Sequence, residues 1–316
     1  MASSLAELST AARWRYALKP ASWPKLLVPT LLGQVLGILA AGAFSWPALL
    51  LGIVFTLLNG TFIVLLNDWG DREVDAIKRR MFPDGCSPKT IPDGILPARA
   101  LLLVGAGAGL ASVLLAFALG EWIDRPWLGL LGAACALTFV AYSLPPIALN
   151  YRGGGEVLEA LGVGLLLPLF HAYAQAGVFW AAQWWLLAGF VALSLASALA
   201  SGLSDEVSDR AGGKRTLATM AGNTLTRRGT EASVLLGVGL WLLVAVWMSA
   251  IAPWAMVPAL VAVLVCFICM MRISPRAITG AFKAQGEYKQ WLHRAIWFGA
   301  LLLAAGLLLA AIGVDS

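Results

Sequence analysis

The sequence predicts an all-α polytopic membrane protein, with nine transmembrane helices in one bundle around a central cavity that opens to the cytoplasmic side. Three observations carry this expectation. The 316-residue chain is 60% hydrophobic and 12% charged, whereas an ordinary globular domain carries about 25% charged residues. Apolar runs of about twenty residues, enough to cross a hydrocarbon core as a helix, recur along the whole length. The basic residues, in turn, segregate into alternate connections between those runs. No stretch is left over for a soluble domain of useful size, so residues 1–316 read as a single transmembrane domain.

The runs fall at about 26–44, 47–66, 99–119, 127–149, 156–178, 183–204, 231–251, 253–272 and 293–313. Pro24, Pro47, Pro97 and Pro126 stand near their starts, where a missing backbone N–H is tolerated. The first residues, Met1 to Pro20, are mixed and partly basic, so the first apolar helix is expected to act as its own insertion signal. With the N-terminal segment 1–25 placed inside, that segment and the connections after every second run hold all of the 22 basic residues except Arg125. The positive-inside rule makes those connections cytoplasmic, with the N-terminus cytoplasmic and the C-terminus on the opposite side. The net charge of +5 is then topological and calls for membrane lipid rather than a nucleic-acid partner. Gly33/Gly37 and Gly105/Gly109 have the small-xxx-small spacing that lets helices approach closely. Cys135, Cys266 and Cys269 lie inside apolar runs and read as small buried hydrophobes.

Two cytoplasmic connections, 67–98 and 205–230, are long and acidic. The first opens Asn67-Asp68-Trp69-Gly70-Asp71-Arg72-Glu73-Val74-Asp75. The second opens Asp205-Glu206-Val207-Ser208-Asp209 and continues to Gly213-Lys214-Arg215-Thr216. Carboxylates at a membrane boundary are costly unless they pair or bind cations. On a helix Asn67, Asp71 and Asp75 share a face, as do Asp205 and Asp209, with Asp68 one step round. Carboxylate and amide oxygens suit Mg²⁺ held together with substrate phosphates. The neighbouring Arg72, Lys78, Lys214 and Arg215 are candidates to clamp the same phosphates. Two clusters suggest two divalent ions holding one polyanion. A diphosphate at the mouth of an apolar bundle implies an amphiphile whose tail lies among the helices.

These motifs resemble those of the UbiA superfamily of intramembrane prenyltransferases. Asn67-Asp68-x-x-Asp71-x-x-x-Asp75 matches the first motif of that family. Asp205-x-x-x-Asp209-x-x-x-Gly213-Lys214-x-Thr216 matches the second. Lys19-Pro20 resembles the Lys/Arg-Pro pair ahead of its first helix, and Tyr142-Ser-x-Pro-Pro the end of its fourth. The resemblance implies nine helices, and a Mg²⁺-diphosphate site made of Asn67, Asp68, Asp71, Asp75, Asp205 and Asp209, four of which (Asp71, Asp75, Asp205 and Asp209) are the catalytic candidates. It implies phosphate contacts from Arg72, Lys214 and Arg215, and places Tyr142 and Arg152 near the acceptor or the diphosphate. The partners implied are a polyprenyl diphosphate and an aromatic acceptor. The branch signals diverge. Asp71 to Ile77 resembles members acting on homogentisate or chlorophyllide, whereas Tyr151-Arg152-Gly-Gly-Gly155-Glu156 resembles the dihydroxynaphthoate branch, toward which the reading leans. Lys89-Thr90-Ile91-Pro92-Asp93-Gly94 departs from the Arg-Pro-Ile-Pro-Ser-Gly of many relatives.

Two further residues are acceptor-side candidates. His171 sits inside an apolar run, where it would orient an acceptor hydroxyl or simply bond a neighbouring helix. Trp69 lies within the first motif, where it would stack on a ring or simply pack. Competing classes remain open. A 4-hydroxybenzoate-type acceptor and a terpene cyclase of the same superfamily would use the same residues. A cation-coupled transporter would more commonly hold its ions near the midplane, on broken helices.

Overall fold

The computed structural model describes residues 8–83, 86–248 and 251–314. The start of the segment 1–25, and Asp84 and Gly85 of the first long connection, lie outside the described residues. The described chain is helical: α1 Thr10–Leu18, α2 Pro24–Ala41, α3 Trp46–Gly70, α4 Arg72–Met81, α5 Ala98–Trp122, α6 Leu128–Ser143 and the single turn α7 Leu149–Arg152. These are followed by α8 Gly155–Ala176, α9 Leu186–Ala211, α10 Leu217–Trp247, α11 Pro253–Ile273 and α12 Phe282–Val314.

Among the described residues eight helices, all but α1, α4, α6 and α7, are long and apolar enough to cross a membrane. They make the chain an integral multi-pass membrane protein. The run predicted at 127–149 appears as α6, a shorter apolar helix of 16 residues, which spans about 24 Å at 1.5 Å per residue. It stops early because Pro145 and Pro146 follow. A residue before proline is driven out of the helical region, and Leu144 is extended at φ −106°, ψ 141°.

Several helices extend beyond their apolar runs. α3 carries Asn67 and Asp68 on its last turn, and α9 carries Asp205 and Asp209 on its last two. α10 starts at Leu217 rather than near 231, because Thr216 and Thr219 form a reciprocal capping box at its N-terminus. It bends at Gly222, whose φ of 84° suits glycine alone. The segment 205–230 is therefore mostly helix, with a turn between α9 and α10.

The glycine pairs sit at helix crossings. A Cβ on Gly33 or Gly37 would strike the α8 backbone at Pro168 and Ala172. One on Gly105 or Gly109 would come within 2.9 Å of Leu66 and 2.6 Å of Phe62 on α3. The largest core joins α2, α9, α10, α11 and α12 around Phe190, Trp241 and Tyr288. Leucine, valine and tryptophan side chains such as Leu114, Val246 and Trp247 are exposed on the outer faces, as a lipid-facing surface requires.

Candidate active site

A cavity of about 350 Å³ lies inside the bundle, within the range of small-molecule sites. Its wall is divided by chemistry. Ile63, Val64, Cys135, Phe139, Leu158, Val163, Leu167 and Ala198 supply apolar surface. Asn67, Asp68, Asp71, Asp205 and Asp209, with Lys19 and Lys214, supply a charged end.

Local backbone geometry sets the first motif. α3 ends at Gly70 and Asp71 caps α4, yet the i→i−4 bonds run on, from Asp71 N to Asn67 O at 2.9 Å and from Asp75 N to Asp71 O at 2.8 Å. Asn67 and Asp71 both line the cavity. Asp75 is buried one turn further on and bonds Lys89.

The two motifs exchange their basic residues. Lys214 Nζ, from the second, donates to Asp71 Oδ2 of the first at 2.9 Å. Lys78, which follows the first, donates to Asp205 Oδ1 of the second. Lys19 donates to Asp68, and Thr90 Oγ1 donates to the other oxygen of that carboxylate at 2.6 Å. Each of these acids thus has a cationic partner, as burial demands. Burial alone would lower the Lys214 ammonium, but the carboxylates of Asp71 and Asp209 push it up to about 12. Burial likewise opposes the Lys89 charge, and Asp75, Asp205 and Asp68 outweigh it, so Lys89 is also held up.

The connection 86–97 acts as a strap that delivers Lys89 and Thr90 to these acids. Its anchor is Asp93. Arg79 donates to both oxygens of Asp93, at 2.7 Å each, the Lys89 backbone N–H donates at 3.0 Å, and Tyr16 OH donates from α1. Burial and the Asp93 carboxylate push the Tyr16 phenol up to about 12. On the other flank, the segment Tyr151–Glu156 ties the motifs together. Tyr151 OH donates to Gly70 O at 3.3 Å, its carbonyl accepts from Arg215 N at 3.2 Å, and Glu156 Oε1 accepts from Leu217 N at the start of α10 at 2.7 Å.

The sequence candidates therefore separate. Asn67, Asp68, Asp71, Asp205, Asp209, Lys214 and Tyr142 line the cavity, whereas Asp75 and Lys78 lie just behind it, paired with Lys89 and Asp205. Tyr142 stacks on Phe139 with ring centroids 6.2 Å apart. Arg72 folds back over Trp69, 4.9 Å from the ring, and donates to Trp69 O at 2.8 Å. Trp69 packs against Ala17, Leu65 and Leu101 and does not line the cavity. Arg152 and Arg215 are exposed. His171 is fully buried among Thr30, Thr56 and Gln34 at 3.0–3.1 Å, and does not line the cavity either. Not singled out from the sequence as site residues were Lys19, Lys89, Thr90, Asn59 and Asn150. Only Lys19, beside Pro20, and Lys89 and Thr90, in the divergent strap, carried any signal.

Among the described residues no three acidic, histidine or cysteine side chains are grouped so as to hold a metal ion. The donor set still suits a hard cation. It contains four aspartates and the Asn67 amide among the residues that line the cavity, together with Asn150, whose Nδ2 lies 3.5 Å from Asp71 Oδ1 and whose buried Oδ1 has no hydrogen-bond partner.

A model of the UbiA prenyltransferase family matches residues 26–278. The chain belongs to the UbiA prenyltransferase family. Within it, the chain is 31% identical over 167 residues to a chloroplastic chlorophyll synthase of Oryza sativa subsp. japonica. That match covers 48% of this chain and 41% of the rice protein, so the chain spans about two fifths of this relative. It is 29% identical over 230 residues to 1,4-dihydroxy-2-naphthoate octaprenyltransferase of Mycobacterium leprae, covering 71% of this chain and 74% of that one. The UbiA fold is shared with a UbiA homolog from Archaeoglobus fulgidus, solved bound to DMAPP and Mg²⁺, at a TM-score of 0.67 and 18% identity over 90% of this chain and 99% of that chain. A digeranylgeranylglyceryl phosphate synthase superposes with a TM-score of 0.63 at 14% identity, over 93% of this chain and 98% of that one.

Proposed function

We propose that this protein transfers a polyprenyl group from its diphosphate to an aromatic acceptor on the cytoplasmic side of the membrane, with Mg²⁺ bound as two ions, and that 1,4-dihydroxy-2-naphthoate is the preferred acceptor. The observation that carries the reading is the division of one cavity into an apolar chamber and a carboxylate–lysine end to which both acidic motifs contribute. That division fits an amphiphile whose diphosphate meets the charged end and whose tail meets the apolar wall.

Asn67, Asp68, Asp71, Asp205 and Asp209, which line the cavity, would hold the ions, with Asp75 in support from behind, and the ions would supply charge neutralisation of the departing diphosphate. Lys214 and Lys19 line the same wall and offer N–H donors to phosphate oxygens, and Lys78 and Lys89 hold Asp205 and Asp75 in place from behind. The apolar chamber excludes water from the reacting allylic carbon, so the aromatic acceptor rather than water takes the prenyl group. The naphthoate preference rests on the Tyr151–Glu156 segment and on the mycobacterial relative, whose match spans most of both chains. A chlorophyllide-type acceptor is the second reading, favoured by the plant relatives.

The test supplies purified protein with Mg²⁺, with geranylgeranyl, octaprenyl and nonaprenyl diphosphates, and with dihydroxynaphthoate, hydroxybenzoate, homogentisate or chlorophyllide. Products are identified by mass. Prenylated naphthoate with equimolar pyrophosphate is expected. A hydrocarbon formed from the donor alone, or cation-driven flux without pyrophosphate release, would replace this reading with the cyclase or the transporter.

A further inference from the structure

One charged pair on the cavity wall uses neither acidic motif. Lys25, in the first turn of α2, donates to Glu159 Oε1 on α8. Lys19 and Lys214, the other lysines of the wall, each engage a motif aspartate. Lys25 and Glu159 instead stand beside Leu158 and Val163. Their side chains remain 32% and 16% exposed, and the pair uses one of three ammonium donors and one carboxylate oxygen. A partly exposed ion pair is weak support for a fold, so its position on the wall of the cavity asks for another explanation.

The backbone beside it is also irregular. α8 passes into a π-helical turn at Gly162–Leu166, three residues after Glu159, and such turns recur at functional sites. Gly162 and Val163 of that turn line the main cavity. Lys25, Glu159 and Val163 also border a second cavity of about 20 Å³ that reaches Ser194 and Trp297. The ion pair thus stands between the main chamber and a recess behind it.

We propose that Lys25 and Glu159 form the recognition site for an acceptor ring that carries a carboxylate next to a hydroxyl. The ammonium binds the ring carboxylate, and Glu159 accepts the hydrogen bond of the hydroxyl. Such a ligand enters between the two charges without leaving either unpaired in the apolar chamber. A ring that lacks the carboxylate leaves the pair nothing to exchange with, and a site built to bond a substrate's polar group rejects analogues without it. The inference rests on the transfer reading above, and it assigns Lys25 and Glu159 to acceptor choice rather than to donor chemistry.

The experiment compares 1,4-dihydroxy-2-naphthoate with 1,4-dihydroxynaphthalene in the full-length protein. The ratio of their kcat/KM values is expected to fall by about tenfold or more in Lys25→Met and in Glu159→Gln, with the KM for the prenyl diphosphate unchanged. The double variant Lys25→Met/Glu159→Gln leaves no lone charge, so it carries the same comparison if a single variant fails to fold. Calorimetric titration of the naphthoate, with Mg²⁺ and inorganic pyrophosphate present, should show the same weakening without turnover. An unchanged ratio and unchanged binding in a folded variant overturn the assignment of the pair while transfer stands. A wild-type protein that binds prenyl diphosphate but prenylates neither ring overturns the transfer reading and the pair's role with it.

Discussion

Lys214 of the second acidic motif donates to Asp71 of the first at 2.9 Å, and Lys78 beside the first motif donates to Asp205 of the second. The two motifs are 143 residues apart across the first of these bonds, yet each supplies the counter-charge of the other. Asp71 and Asp205 therefore each keep a lysine counter-charge from the other half, and neither half is complete alone.

This reciprocity makes the halves energetically coupled. Asp71→Asn and Asp205→Asn should each lower turnover by at least about a hundredfold, with the protein still inserted in the membrane. In Lys214→Met the buried Asp71 loses its partner, so thermal stability should drop, by about 3–5 kcal/mol if the pair behaves as other buried pairs do. Lys214→Met combined with Asp71→Asn should recover part of that loss, with a coupling of roughly 0.5–3 kcal/mol in a double-mutant cycle on detergent-solubilised protein. Additive losses would show that the two residues do not interact.

Metal removal should act on the same residues. EDTA treatment is expected to abolish product formation and to weaken prenyl diphosphate binding, and Mg²⁺ should restore both, since carboxylate oxygens cannot themselves hold a diphosphate. Full turnover in EDTA would mean that the lysines alone carry the leaving group.

The acidic residues could be found from the sequence because a carboxylate at the end of an apolar run has to be accounted for. Their partners could not. Lys19 is 49 residues from Asp68 and Lys89 is 14 from Asp75, and nothing local selects one lysine over another. Hydropathy located the apolar runs but reports surroundings rather than backbone, so it missed the helical continuation of α9 to Ala211 and the start of α10 at Leu217. Lys89 to Gly94 stood out only as a departure from a family pattern, and the fold makes it the strap that brings two side chains to the acids.

Asp93 holds that strap, and its ionisation gives a pH test. Burial opposes the charge, but the hydrogen bonds from Arg79 and Tyr16 outweigh it and keep the carboxyl below its usual range. A depressed carboxyl stabilises the fold above its unfolded value of about 3.9, and the contribution is lost as pH falls through the lower folded value. The difference in Tm between wild type and Asp93→Asn should therefore be constant from about pH 7 to pH 5 and shrink below about pH 4. A difference that grew on acidification would contradict the arrangement.

The helix crossings predict a graded packing series. Gly109→Leu forces a side chain against Phe62 and should cost about 1–3 kcal/mol. Gly33→Leu meets the backbone of Pro168, which cannot turn aside as a side chain can, and should cost more. A methyl group added at Gly107 would meet nothing within 4 Å, so Gly107→Ala should leave Tm within about 0.5 kcal/mol equivalent of wild type. Equal effects at all three positions would remove close approach as the reason for these glycines.

His171 offers the sharpest separation of structure from chemistry. Gln34 Nε2 lies 3.1 Å from its Nδ1, and Thr30 and Thr56 hydroxyls lie 3.1 and 3.0 Å from its Nε2. Gln175 extends the network, donating to Gln34 Oε1 at 2.7 Å and to Ser45 O at 3.1 Å. With Gln34 donating to Nδ1, the ring carries its proton on Nε2 and serves as a neutral joint between α2, α3 and α8. His171→Ala strands these buried polar partners and should cost about 1–3 kcal/mol of stability, read as a lower Tm. Acceptor KM and the pH profile of turnover should stay as in wild type at temperatures where the variant is folded. A folded variant with a raised acceptor KM would instead return His171 to the acceptor side of the site.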